Sequence, residues 1–469
     1  MSNMLRILHP PGYMEERSYI FRIIFEEFLG LSYEYQESSG DAVQIRLAYA
    51  PEGGVLIWPD ILFQINAEDW LTECSLPKAP LLVWNVNNDL PEVNLMKGSI
   101  PVIYGKPIDG RSWFIQKGKV IQLGLDIAGS VFFMLTRYEE AVLPFRDEHS
   151  RFPAKASLAY REGFLDRPIV DEYVEILWAC MKRLWPGLKR KEQSYRVCLS
   201  HDVDHPLGAV NKRWLQVLRN IAGDLVWRKD ASLAYRRAVA KCSGRYDLDP
   251  YNTFDLIMDV SERYGLRSAF YFKTDSSNSQ FDETYSLDLP WIQELLLRIH
   301  ERGHEIGLHS SYEAYKDPAR TRAEFKALLQ LAERLGIVQE TWGGRQHYLR
   351  WENPITWQIW EDAGLNYDTT VGFAEHVGFR CGTCREFPVF NLRTRKALRL
   401  RERPLIVMDA TLLAPQYMAL KFEQALEKIE RLSDTCRRYG GNFTLLWHNT
   451  SFLHPYHRKL YLRILEVVA

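Results

Sequence analysis

The sequence predicts an α/β protein: a (β/α) barrel of about seven strand–helix units over residues 195–469, preceded by a smaller α+β domain over residues 1–190. Three observations predict it. After Tyr195, short apolar runs alternate with stretches of helical length, the pattern of a parallel sheet whose strands are joined by helices. Polar, chemically capable residues recur where those apolar runs end, and in closed barrels the chemistry gathers at that face. Between the two parts, the stretch 185–194 combines a helix stop, a Pro-Gly break and a charge run. A length of 469 residues makes two domains the natural expectation.

In the first part, residues 18–29 carry Ile20, Ile23, Ile24 and Phe28 at helical spacing. Strand-like runs follow at 43–49, 54–58, 80–86 and 100–104, separated by Gly, Pro and Asn clusters. Residues 126–138 and 168–185 read as helices, the second opening on a proline. Arg137, Glu139, Glu140, Asp147, His149 and Arg151 show no catalytic spacing. They read as a salt-bridged surface or a domain interface.

The second part opens on a buried strand at 195–199, followed by Ser200-His201-Asp202-Val203-Asp204-His205-Pro206. Alternation along a strand sends Asp202 and Asp204 to one face, with His201 and His205 on the other. Two like charges on one face repel unless a cation or a shared proton lies between them. Residues 207–246 read as a basic, helical excursion above the site. Helix 253–264 leads to strand 268–273, then helix 289–302. Strand 305–308 ends in His309, and helix 318–335 follows. A short strand at 341–344 ends in Arg345 and His347. Helix 354–363, strand 366–370 and an irregular run, 373–391, with the look of an active-site loop come next. Strand 405–408 ends at Asp409. Helix 421–439 closes on Gly440 and Gly441 as a C-cap, strand 443–447 ends in His448, and a last helix runs to Val468.

The strand ends thus bring together Asp202, Asp204, His309, Arg345, His347, Asp409 and His448. Each alone is an ordinary capping or hydrogen-bonded residue. Several at one end of successive strands make a candidate site. A net charge of −1 gives no global field to recruit nucleic acid or a membrane. The 14 Trp, 24 Tyr and 22 Phe suit both cores and sugar-stacking surfaces. Seven cysteines, an odd number mostly isolated in apolar runs, point to a reducing compartment. The one CxxC, Cys381 to Cys384, reads as a tight turn. With no basic start ahead of an apolar core, and no apolar run of membrane-spanning length, the expectation is a cytoplasmic protein without a membrane span.

The strand with its Asp pair, the run Gly303-His304-Glu305-Ile306-Gly307-Leu308-His309-Ser310, the Arg-led strand end and the strand reaching Leu445-Leu446-Trp447-His448 together resemble the polysaccharide deacetylase family, carbohydrate esterase family 4. The likeness runs over roughly residues 195–455. The part ahead of it resembles an extra domain found in some bacterial relatives, which brings no known chemistry. The resemblance implies a distorted (β/α) barrel. It also implies metal-dependent hydrolysis of an N-acetyl group from an amino sugar, with a divalent metal, expected to be zinc, held by one Asp and two His. Carried over, Asp202 matches the base that takes the proton of the attacking water. Arg345 matches the residue that orients this base, His309 the first metal histidine, and His448 the acid that protonates the leaving amine.

Three positions depart from the family pattern. Val203 separates the two aspartates, making Asp204 the second carboxylate and a metal-ligand candidate. Glu313 stands where the second metal histidine belongs, and His347 follows Arg345 in place of a proline. Glu313 can ligate directly, which favours harder ions. Alternatively His347 or His205 supplies the missing nitrogen. His304 lies about 16 Å from His309 along the strand, at its far end. The basic run Arg393, Arg395, Lys396, Arg399, Arg401 and Arg403 reads either as a phosphate dock or as a solvated hairpin edge. The implied partner is a carbohydrate. The competing expectations are a non-catalytic sugar-binding relative and an amidase acting on another N-acyl group.

Overall fold

The computed structural model describes residues 4–283 and 285–469. Its strands are β1 (Leu5–His9), β2 (Tyr33–Glu37), β3 (Ala42–Leu47), β4 (Val55–Pro59), β5 (Leu82–Asn85), β6 (Ser99–Val102), β7 (Phe114–Lys117) and β8 (Val120–Leu123), followed by the nine strands below. Six of these form one sheet in the order β2-β1-β3-β4-β8-β7, and β5 pairs with β6 apart from it. The expected helix at 18–29 is present as Met14–Phe21 continued by the π-helical stretch Arg22–Phe28. Strand β2 reads Tyr-Glu-Tyr-Gln-Glu and is an exposed edge strand, so no apolar run announces it.

The second sheet holds β9 (Arg196–Val203), β10 (Ser268–Phe272), β11 (Glu305–Ser310), β12 (Gly343–Gln346), β13 (Tyr367–Asp368), β14 (Phe387–Asn391), β15 (Lys396–Glu402), β16 (Val407–Met408) and β17 (Asn442–Leu446). Its order is β14-β15-β13-β12-β11-β10-β9-β17-β16. Helices cover the strands between crossovers, as parallel pairing requires. The sheet curls into a distorted barrel. Its gap is bridged where Leu405 N donates to Val371 O at 3.3 Å and Gly378 N to Ile406 O at 3.0 Å. Strand β12 owes its place to Gly344, because a Cβ there would collide with the Leu308 carbonyl of β11.

One expectation is corrected here, and of two alternatives left open the hairpin edge is the one found. The run 373–391 is not a loop over the site. Strand β14 and the buried Cys381 and Cys384 face the N-terminal part instead: Val170 N donates to Gly382 O at 2.8 Å, and Tyr19 Oη donates to Pro388 O at 2.9 Å. The basic run is the antiparallel hairpin β14–β15 rather than an open phosphate dock. Arg395 pairs with Glu16, Arg399 with Glu361, and Arg401 and Arg403 with Glu386.

One apolar core runs from Leu5 to Val468 and includes side chains of both sheets. Charge is buried within the same seam. Glu140 accepts from Arg137 Nε at 2.8 Å and from Arg380 Nη2 at 2.5 Å, and all three side chains are sealed from water. Burial pushes the Glu140 carboxyl up, but the two guanidiniums outweigh it and hold it below its usual value. Removing one member of such a group strands the others without compensation. Glu140→Ala is therefore expected to cost roughly 3–5 kcal/mol of unfolding free energy in a urea titration. A loss under about 1 kcal/mol would mean that the network does not hold the two parts together.

Candidate active site

Strand β9 sits mid-sheet, paired with β17 along Arg196–Ser200 and with β10 along Leu199–Val203. Having a partner on each side lets it run past its apolar stretch, through Ser200, His201 and Asp202. His201 turns away from the site, with Nδ1 2.6 Å from Trp447 O and Nε2 3.2 Å from Ser268 Oγ. Asp202 and Asp204 turn the other way, lying 3.9 and 3.2 Å from His309 Nε2.

Asp202 is sealed from solvent. Arg345, at the end of β12, donates through Nη1 to its Oδ1 at 2.7 Å, and through Nη2 to Ser200 Oγ at 3.0 Å. Its Nε donates to Thr369 O at 2.9 Å. The guanidinium is thereby locked, and it fixes the carboxylate in turn. Burial alone would raise the Asp202 carboxyl; Arg345, then His309 and His448, outweigh it and hold it low.

Asp204, His309 and His347 bring one ligand atom each to within 4.8 Å of one another. His309 Nδ1 faces the Arg345 carbonyl at 2.9 Å, an acceptor only, so Nδ1 carries the proton and Nε2 offers its lone pair. His347 is fixed in the same way, with Nδ1 2.7 Å from Asp282 Oδ1 and Nε2 3.1 Å from Asp204 Oδ1. It enters on a turn where Tyr348 and Leu349 have φ of 60° and 55°, sparsely populated for such side chains. Asp204 Oδ1 and His309 Nε2 are buried and lack a well-formed hydrogen bond. Asp204 Oδ1 and the His309 Nε2 lone pair lie 3.2 Å apart, a crowding of acceptors that a cation relieves, and a mixed carboxylate–imidazole donor set suits zinc or a similar ion.

Glu313 is not part of this group. Its side chain lies toward the surface, paired with Arg350 Nη1 at 3.0 Å. His205 lines the cavity but turns toward Glu283, 3.4 Å away. His304 lies at the far end of β11, bonded to Ser268 N at 3.0 Å and 3.2 Å from Glu262.

Opposite Arg345, His448 Nδ1 is 2.7 Å from Asp409 Oδ1, and Nε2 is 3.7 Å from Asp204 Oδ2. Burial would depress this imidazole, but Asp409, Asp204 and Asp202 push it up to about 10. It therefore stands protonated at neutral pH, with Nε2–H toward the cavity. Asp409 is itself held by His448 N at 2.9 Å and by Ser451 Oγ at 2.5 Å.

Two residues meet here without a sequence signal of their own. Lys273, one position beyond β10 and buried, places Nζ 3.0 Å from Asp204 Oδ1 and 3.2 Å from His347 Nε2. Its only trace in the sequence is a lysine closing an apolar strand. Asp282 lies in the loop after it and accepts from Ser277 N, Asn278 N and Tyr312 N as well as from His347. Burial raises its carboxyl, but these donors outweigh it and hold it far below the usual range.

The group floors a cavity of ≈ 250 Å³ whose walls include Phe281, Tyr348, Tyr417 and Arg151. Arg151 comes from the N-terminal part, where the sequence shows no catalytic spacing. It reaches the wall because Asp147 takes its Nε at 2.8 Å and Tyr348 O its Nη1 at 3.1 Å.

A family of unknown function, DUF7033, matches residues 5–186. No curated protein matches the chain. Among solved structures, a protein described as a polysaccharide deacetylase from Mycobacterium smegmatis is 15% identical. The match covers 60% of this chain and 85% of that one, with a TM-score of 0.38. Puue allantoinase is 14% identical, with 60% and 85% covered and a TM-score of 0.37. Another protein described as a polysaccharide deacetylase, from Pseudomonas aeruginosa PAO1, is also 14% identical, with 66% and 90% covered and a TM-score of 0.36.

If Asp282 orients His347 as a ligand, Asp282→Ala lowers zinc affinity by roughly 10–100-fold in calorimetric titration, whereas Glu313→Ala leaves it unchanged. The reverse order of effects would return the third ligand position to Glu313.

Proposed function

We propose that this chain is a metal-dependent hydrolase that removes an N-acyl group, foremost acetyl, from an amino sugar or saccharide intermediate. The observation that carries the reading is the convergence of Asp204, His309 and His347 ligand atoms in one cavity between two fixed pairs, Asp202–Arg345 and His448–Asp409. A divalent ion held by Asp204, His309 and His347 would supply acidified water and a polarised carbonyl.

The chain's own residues supply the rest. Asp202 keeps Oδ1 on Arg345 and leaves Oδ2 facing the cluster, placed to accept the proton of an attacking water. His448 carries a proton on Nε2 across the cavity, placed to deliver it to the departing nitrogen. Asp409 fixes that ring's orientation and keeps it charged. Phe281, Tyr348 and Tyr417 offer the aromatic faces on which a sugar ring can lie.

Lys273 favours a second reading. Its ammonium stands among the ligand atoms, so a sugar-binding protein in which lysine neutralises Asp204 needs no ion. Elemental analysis separates the two readings: one equivalent of metal supports the hydrolase, none supports the binder. Lys273→Met should raise zinc affinity at least about tenfold, because two cations this close repel by several kcal/mol. Unchanged affinity would show that the ammonium does not compete.

For the reaction, Asp202→Asn and His448→Ala are each expected to lower acetate release from N-acetylated amino sugars by roughly a hundredfold to ten-thousandfold. Chelation should abolish it and zinc restore it. Full turnover in both variants would reject the assignment.

A further inference from the structure

Between Asp204 and the next barrel helix, two helices, Trp214–Val226 and Ala231–Ser243, pack on each other as a hairpin. Its inner face is closed. Val217, Leu233, Ala234 and Ala240 are buried there, and Asp224 accepts from Arg237 Nε at 2.8 Å and Arg228 Nη1 at 2.7 Å.

The outer face is not covered. Leu215, Leu218 and Leu225, spaced to lie on one stripe of the first helix, are 81, 56 and 50% exposed. Trp214 and Trp227 stand at its two ends, 53 and 85% exposed, with Val226 beside the second at 65%. Single exposed leucines need no explanation, but a continuous stripe flanked by tryptophans marks a surface that something covers.

Charge identifies what covers it. Residues 211–243 hold eight Lys or Arg and two Asp. Both acids are committed: Asp224 is buried in its ion pairs, and Asp230 caps the second helix by accepting from Leu233 N at 2.8 Å. Arg213, Arg219, Lys229 and Arg236 are exposed and have no acidic partner among the described residues. A second copy of this chain would bring a like-charged face against this one across a two-fold axis. An anionic lipid surface satisfies both the apolar stripe and its basic flanks.

We propose that this hairpin docks the protein on an anionic bilayer. The Leu and Trp side chains enter the boundary between headgroups and acyl chains, and the flanking Arg and Lys lie on lipid phosphates. Among the described residues no helix is long and apolar enough to cross a membrane, so the docking is peripheral. The hairpin is tied to the cavity rim: Lys212 at its base pairs with Glu283, which lies 3.4 Å from His205 in the cavity wall. Docking would hold the cavity beside the bilayer. The inference stands on the hairpin alone and does not rest on the hydrolase reading.

Co-sedimentation of the full chain with vesicles tests it, using phosphatidylcholine alone and phosphatidylcholine mixed with phosphatidylglycerol. The protein should pellet with the mixed vesicles only, and salt should release it. Replacing Leu215, Leu218 and Trp227 together by Ser should abolish pelleting with the thermal unfolding midpoint unchanged. Arg219→Ser and Lys229→Ser should each weaken partitioning by roughly fivefold. Protein that stays in the supernatant with mixed vesicles, or a triple variant that pellets as the parent does, overturns the proposal. A dimer in analytical ultracentrifugation that the triple variant dissolves, without vesicle binding, assigns the face to self-association instead.

Discussion

Two carboxylates on one face of one buried strand set the terms for everything around them. Asp202 and Asp204 cannot both stay charged in a dry interior without positive or proton-donating neighbours. The fold supplies these from four other strand ends: Lys273 from β10, His309 from β11, Arg345 and His347 from β12, and His448 from β17. Each arrives where its own strand stops, so the barrel's parallel register is what makes the compensation possible. The arrangement stores electrostatic cost rather than stability, since a buried pair gains little net energy and loses much when one member is removed.

The two aspartates are compensated differently, and the difference separates their chemistry. Asp202 has one bidentate-capable partner held by three further hydrogen bonds, so its position is over-determined. Asp204 has several partial neighbours, none of them with good hydrogen-bond geometry at Oδ1. The first is a fixed group suited to act on a proton. The second, in the proposed reading, is a carboxylate placed to bind a cation.

The N-terminal part closes this site from one side. Its apolar core is continuous with that of the barrel, and Glu140 bridges Arg137 and Arg380 across the seam. That rigid junction carries the segment 147–151 to the cavity, where His149 Nδ1 lies 2.9 Å from Tyr312 Oη and Arg151 forms part of the wall. A barrel without this part would keep Asp202, His309, Arg345 and His448 and lose one wall of the cavity.

Much of the candidate site is legible in the chain itself, for a local reason. The strand ends of a parallel barrel lie at one face, so Asp202, Asp204, His309, Arg345, His347 and His448 could be grouped from the alternation of strands and helices alone. The helices after residue 195 were equally plain, because apolar spacing and Gly or Pro breaks are written within a few residues of each element. What stayed hidden depends on distance in sequence. Glu313 has the spacing of a ligand, yet the chain beyond β11 carries it outward to Arg350. Lys273 and Asp282 have no motif, yet the loop after β10 folds them onto His347. Hairpin β14–β15 and the wall residue Arg151 face partners more than a hundred residues away. Local pattern alone thus specifies the α/β architecture and which strand ends carry charge. Which of those side chains share one cation-sized space is set by loops and long-range packing, which no local pattern records.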